Sequence, residues 1–345
     1  MTAWTPSVST LYRNVEVLAA ARSPRSYSLR LGMSWGFGLP NDGRSNFTEF
    51  SFPLRPAGDL PDLLRRRGGL DIRRHDDPSG VTMHEYLHVT GEPVVAVVDS
   101  FYLPYRPAYG RVHSSRTIIA GPAEGDRVWV DDCWEPTYRG LLRRRDLDAA
   151  RWSRAEADPL LEPIFSDVQT DAEWFTVSVE PLLINDPARW AATTIRLLVH
   201  EMTTAVRTVG ASFGLAALRE MVGVLAEGGD APWRVVSRRT MALVLRAELS
   251  SRRYLCTLLR NAVTLAGHPS LIDDVNLYQE GLWHFQAARD VLVKSLRHGC
   301  AEYDKFVVTR CRDALSNEER LLAAIEAAGL PAAPLPEEAA EAWPA

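Results

Sequence analysis

The sequence has 345 residues, long enough for two domains, and its 46% apolar content supports ordinary buried cores. A formal charge of −5 with no isolated Lys/Arg block argues against nucleic acid as a main partner. The opening MTAWTPSVST lacks a charged n-region and an apolar h-region, and no later run reaches the ~18 apolar residues of a membrane span, so a cytoplasmic globular protein is expected. Cys133, Cys256, Cys300 and Cys311 are widely spaced, which fits reduced thiols, and without a CxxC pair a cysteine zinc site has little support.

Thr5-Pro6-Ser7 resembles a helix start, with Leu11, Val15 and Leu18 repeating along one face and Pro24 ending the run. One turn back from Leu11, Ser7 falls on that same face. It reads either as an N-cap or as a nucleophile whose developing anion the helix terminus would stabilise. Ser9 is the fallback and is expected to point away from the apolar face. Leu31 to Leu39 packs aromatics among glycines and suits a close-packed segment. A short helix over Leu60 to Gly68 carries basic residues in its last turn, where the helix dipole is negative. A segment over Leu70 to Arg73 and a loop through Asp76 to Gly80 follow.

His84-Glu85-Tyr86-Leu87-His88 matches the HExxH zinc pattern of two imidazoles one turn apart. The helix that could carry it runs only from about Val81 to Val89 before Gly91 and Pro93, and the metzincin continuation is absent. No metal is therefore expected. His200-Glu201 has Thr204 in place of a second histidine.

Val94 to Val98, Thr117 to Ala120 and Arg127 to Val130 are β-branched apolar runs bounded by Gly, Pro and Asp, which predicts three short strands. His113 opens the middle strand, and Asp131 and Asp132 close the last. In an antiparallel pair those ends share one edge, so an imidazole and a carboxylate are expected to meet there. A Pro-rich stretch after Leu141 to Arg154 marks a domain join. Ala188 to Val209, Gly214 to Glu227, Trp233 to Ala266 with a break near Ser250, Leu271 to Arg297, and Cys300 to Ala328 read as amphipathic helices. The division predicted is 1–150, then a helical domain 151–330, then a mobile tail 331–345 rich in Pro, Ala and Glu.

The run Gly91-Glu92-Pro93-Val94 to Asp99, then Tyr102-Leu103-Pro104-Tyr105, Tyr109 and His113, then Ile118-Ile119-Ala120-Gly121 and Val128-Trp129-Val130-Asp131-Asp132, resembles the N-terminal domain of the butirosin biosynthesis protein H family. Arg253-Tyr254, Leu255 to Ala262, Tyr278 and Leu282-Trp283 are similar to the helical domain that often follows it. The resemblance implies an α+β chain: a papain-like domain with a small antiparallel sheet, then an all-α domain. It also implies an acyltransferase of specialised metabolism, which moves an acyl group from a carrier-protein thioester to an amine or hydroxyl through a cysteine acyl-enzyme.

Carried onto these residues, His113 takes the place of the family's histidine and Asp132, with Asp131 as alternative, that of its acid. No cysteine precedes Cys133, so Ser7 is the nearest equivalent of the nucleophile, and Cys133 beside Asp132 is a second candidate. Many relatives carry a second histidine just after the first, where this chain has Ser114-Ser115-Arg116. Tyr102, Tyr105, Tyr109, Trp35 and Arg116 are the expected substrate contacts, and Arg252, Arg253 and Arg260 are candidates for contacting an acidic carrier protein or its phosphopantetheine phosphate. No bound cofactor is expected. The missing cysteine favours a second reading, in which His113 and its acid do acid/base work on a bound intermediate or the chain only binds it. A homodimer is reasonable for a large helical domain.

Overall fold

The computed structural model describes residues 9–23, 27–40, 52–55, 58–77, 79–156, 165, 168–181, 184–205, 211–227, 232–298 and 301–330. Its elements run α1 (Thr10–Arg22), α2 (Tyr27–Leu31), β1 (Gly38–Pro40), β2 (Leu54–Arg55), β3 (Gly58–Asp59), α3 (Leu60–Gly68), β4 (Leu70–His75), α4 (Thr82–Thr90) and β5 (Val94–Asp99). Then come β6 (Ser115–Glu124), β7 (Arg127–Asp132), β8 (Tyr138–Arg143), α5 (Arg144–Arg151), β9 (Trp174–Val179), α6 (Pro187–Thr203), β10 (Ala211–Phe213) and α7 (Gly214–Ala226). The last four are α8 (Pro232–Leu265), α9 (Ile272–Gly281), α10 (Trp283–His298) and α11 (Ala301–Ala327).

This is a mixed α+β chain with a small antiparallel sheet and a C-terminal helical region. No helix among the described residues is long and apolar enough to cross a membrane. The three predicted strands are β5, β6 and β7, and they lie adjacent in a six-stranded sheet of order β4-β9-β5-β6-β7-β8. Every residue of β5 is buried because both faces of the strand are covered. Val95 and Val97 join α1 and the long helices in the larger core, whereas Val94, Ala96 and Val98 join Met83, Leu87, Leu147 and Ala150 beneath α4 and α5. Strand β9 lies between β4 and β5, so the sheet draws residues from both sides of the predicted boundary after residue 150.

Ser250 does not break α8. Its hydroxyl donates to the Arg246 carbonyl at 2.9 Å, bonding back one turn, and accepts from the Ser9 N–H at 3.0 Å. Close approach of α2 to this helix depends on Gly32, where an added Cβ would lie 2.6 Å from the Tyr254 carbonyl oxygen and 2.7 Å from Leu258 Cβ. Gly32→Ala is therefore expected to cost about 1–3 kcal/mol in urea unfolding, the usual penalty of overpacking against backbone that cannot yield.

Asp77 fixes the start of α4 from outside the helix. The residue before the helix, Val81, makes no side-chain cap, and Asp77 instead accepts from the Thr82 N–H at 3.1 Å and the Met83 N–H at 3.3 Å. Its carboxylate also takes the Arg151 guanidinium at 2.8 Å, with both side chains fully buried. Burial by itself pushes the Asp77 carboxyl up, but the hydrogen bonds from Arg151, Thr82 and Met83 outweigh it and hold the group well below the usual carboxylate range.

A depressed folded pKa contributes stability that is complete above the unfolded value of about 3.9 and is lost as pH falls toward the folded value. Wild-type stability is thus expected to fall between about pH 5 and pH 2 more steeply than that of Asp77→Asn, which lacks this proton uptake. Urea melts across that range measure the two slopes.

Candidate functional site

The site begins where β5 ends. Asp99 closes the buried strand and pairs in register with Ser115, the first residue of β6, so the end of one strand meets the start of the next. Between them the chain makes a 3-10 turn over Ser100–Tyr102 and then successive turns, in which Leu103 N–H donates to Ser100 O, Arg106 N–H to Leu103 O and Tyr109 N–H to Arg106 O. Gly110 N–H then donates to Phe101 O, and the loop comes back to place His113 beside Asp99.

Asp99 is fully buried and receives four donors: the Phe101 N–H at 3.0 Å, the Ser114 N–H at 2.8 Å, the Ser153 hydroxyl at 2.6 Å and His113 Nδ1 at 2.6 Å. Those four fill the lone-pair sites of a carboxylate. With the carboxylate accepting from Nδ1–H, the neutral ring keeps its lone pair on Nε2, the tautomer a general base needs. The ring lies flat on Phe101, centroids 4.2 Å apart and planes within 5°, and Tyr102 meets it edge-on at 6.3 Å. The His113 side chain is 33% exposed, and among the described residues its ring makes no other hydrogen bond.

The carboxylate that meets His113 is therefore Asp99, not Asp132 or Asp131. Ile119 pairs with Asp131, so Asp132 stands level with Ile118, well inside β6, while His113 lies in the loop ahead of Ser115. Asp132 is buried and takes Arg106 Nε at 2.8 Å, Arg116 Nη2 at 2.7 Å and the Tyr105 hydroxyl at 3.4 Å. Arg106 also donates to the Trp134 and Pro136 carbonyls, which makes Asp132 a latch between two loops. Asp131 accepts from Arg139 Nε at 2.9 Å and from the Cys133 thiol at 3.4 Å.

Ser7 lies outside the described residues. The described helix begins with Ser9 as its N-cap, and Ser9 is buried, contrary to the expectation that it points away from the apolar face. The first turn of α1 docks further along β6 than His113: Thr10 Oγ1 accepts from the Thr117 N–H at 2.9 Å, and Asn14 Nδ2 donates to Thr117 Oγ1 at 2.9 Å. Among the described residues no hydrogen bond joins α1 to His113.

Cys133 is a poor substitute nucleophile, because burial and then the neighbouring Asp131 carboxylate push its thiol up to about 12. Cys256 and Cys311 are free thiols buried in the helical region.

Of the expected substrate contacts, Tyr102 stands beside His113, whereas Tyr105 stacks on Tyr138 at 4.0 Å and Tyr109 is exposed. Arg116 is committed to Asp132. Trp35 is not a site residue: it is fully buried, donates from Nε1 to Glu318 at 2.7 Å and packs edge-on against Tyr278. Arg252 is likewise buried, between Glu248 and Glu318, and Arg260 donates to Asn276 at 2.8 Å. Of the three arginines expected to contact a carrier protein, Arg252 is thus enclosed by its own glutamates, while Arg253 and Arg260 are partly buried.

The HExxH pattern does sit on a helix, α4, but its imidazoles are spent differently. His84 is buried and its Nε2 lies 2.7 Å from Asp148 Oδ1, whereas His88 is exposed. No group of three or more potential metal ligands occurs among the described residues.

Asp99, Ser153 and Phe101 escaped the sequence reading. The signal for Asp99 was present, because an acid ending a buried strand obeys the same shared-edge logic as one ending β7. The sequence matches no family model and no curated protein.

Proposed function

We propose that this chain is an acyl-transfer enzyme that works by acid/base catalysis on a bound intermediate, with His113 as the proton-transfer group and Asp99 as the acid that orients it. The observation that carries the reading is the 2.6 Å contact of His113 Nδ1 with a buried Asp99, beside a ring edge open to solvent. In this scheme Nε2 takes the proton of an amine or hydroxyl acceptor as that group attacks a thioester carbonyl. The imidazolium then returns the proton to the departing thiolate, and no acyl-enzyme forms. The raised Cys133 thiol agrees with a route that does not acylate the protein.

The substrate class, an acyl or peptidyl thioester on a carrier protein, comes from the likeness to the butirosin biosynthesis protein H family. So do the papain-like character of the sheet with α1 across it, and a setting in cytoplasmic natural-product biosynthesis. A second reading, binding without catalysis, is favoured by the bonds from the Phe101 and Ser114 N–H groups to Asp99, which pin both ends of the loop.

Thiol release from an acyl thioester in the presence of an amine acceptor, followed with wild type and His113→Ala, tests the choice. Acid/base catalysis requires release that His113→Ala abolishes, with no acyl adduct in the intact mass. Release unchanged by the substitution, or an adduct on the protein, overturns it, and no release with retained carrier binding supports the second reading.

A further inference from the structure

At the β8 edge of the sheet, on the face covered by α4 and α5, a cleft of about 470 Å³ is walled by Pro104, Tyr105, Tyr109, Tyr138 and Leu142. Tyr105 and Tyr138 stack with planes within 6°, and both hydroxyls are tied down, Tyr105 to Asp132 and Tyr138 to the Leu141 carbonyl at 3.2 Å. The wall is thus held in place, and Tyr109 is 52% exposed. A groove lined by aromatic side chains is the usual seat of a proline-rich segment, whose rings pack on the aromatic faces.

This chain carries such a segment. Beyond Leu330, the last described residue, the sequence continues Pro331-Ala332-Ala333-Pro334-Leu335-Pro336-Glu337-Glu338. Prolines three apart fall on one edge of a polyproline II helix, and their fixed φ lowers the entropy lost on binding. The glutamates that follow have a complement beside the tyrosines, where Arg145 and Asp146 of α5 also line the cleft. The start of α5 has no side-chain cap, Arg145 is 75% exposed, and its one ion pair among the described residues is with its neighbour Asp146. A helix N-terminus and an exposed guanidinium favour an arriving carboxylate.

The segment cannot reach the cleft of its own molecule. Leu330 is buried in the larger core, and α11 packs on α7, α9 and α10 rather than on the sheet. The cleft opens on the opposite face, over the smaller core. Six residues span at most about 20 Å, whereas the path crosses a helix layer about 10 Å deep and then rounds the sheet edge. We propose that the cleft binds residues 331–336 of a second copy of this chain, prolines against the tyrosine wall and Glu337 and Glu338 toward Arg145. The exchange is reciprocal, so each copy gives one segment and receives one.

Sedimentation velocity on the full chain over a range of concentrations tests this. Wild type is expected to dimerise reversibly, and an excess of the synthetic peptide 331–345 to return it to monomer. Tyr109→Ala and, separately, Pro334→Ala/Pro336→Ala are each expected to weaken the dimer by about tenfold or more. Neither should lower the melting temperature of the monomer, since Tyr109 is exposed and the prolines follow the last helix. An equimolar mixture of the two variants should associate more strongly than either alone, because it rebuilds one of the two contacts. A wild type that stays monomeric, a dimer unmoved by the peptide and by both variants, or a mixture no stronger than its components would each overturn the proposal.

Discussion

Glu318→Ala is expected to remove about 3–5 kcal/mol of stability, the penalty for breaking a buried ion network by taking out one of its charges. Glu318 is fully buried in α11 and accepts from Arg252 Nε at 2.5 Å, Trp35 Nε1 at 2.7 Å and the Tyr278 hydroxyl at 3.0 Å. Arg252 reaches on to Glu248 at 2.6 Å, and Glu248 takes Arg55 at 2.8 Å and the Gly38 N–H at 3.2 Å. Two arginines and two glutamates balance one another where the segment before β1 meets the long helices.

Removing one carboxylate leaves Arg252 and Arg55 to share Glu248, one buried positive charge in excess, and the faces of Phe285 and Phe37 beside Arg252 stabilise a cation far less than the lost carboxylate does. A domain stable by about 5–15 kcal/mol would lose a large part of its margin. Glu318→Gln, which keeps the shape and part of the hydrogen bonding, should cost less than Glu318→Ala. Arg65→Ala, at an exposed pair with Asp62, should cost no more than about 1 kcal/mol. Urea denaturation of the three variants measures the order, and equal losses for Glu318→Ala and Arg65→Ala would refute the account.

The second large effect concerns rate. Asp99→Asn is expected to lower thioester turnover by about 10²–10⁴-fold, the usual worth of positioned acid/base catalysis. An amide offers Nδ1 an N–H as readily as an oxygen, so the ring no longer has its lone pair fixed on Nε2, and the imidazolium formed during transfer loses its counter-charge. His113→Ala should match that loss in rate. The two variants should differ in stability, because Asp99 also holds the Phe101 and Ser114 N–H groups and the Ser153 hydroxyl, while His113 mainly covers Phe101. Turnover beside thermal melts separates the roles: a drop in rate that only follows a drop in folded fraction would leave the dyad as a loop clasp.

What the sequence disclosed follows from how local each determinant is. Runs such as Val94 to Val98 declare a strand by themselves, and the helices of the second half repeat apolar residues often enough to be seen. Register is not local. Which carboxylate meets His113 depended on which residues of β6 stand level with the end of β7, and on a loop that carries His113 back to the end of β5 instead. The same holds for α4, whose cap comes from Asp77 rather than from the residue beside the helix. Ser250 looked like a helix break because serine competes for backbone bonds, yet its hydroxyl is used in bonding back and in receiving α1. Trp35, expected as a substrate contact, lies in a segment whose aromatics among glycines already suit close packing, and its indole N–H serves a carboxylate from the far end of the chain.

Strand β9 reaches the sheet late in chain order yet sits between β4 and β5. As the nascent protein leaves the ribosome, β5 to β8 can zip together early, but β4 stays unattached until residues 174–179 emerge and are threaded into the gap. A fragment cut after residue 150 would thus carry two raw strand edges facing each other across a vacant slot, a shape that invites another chain to fill it.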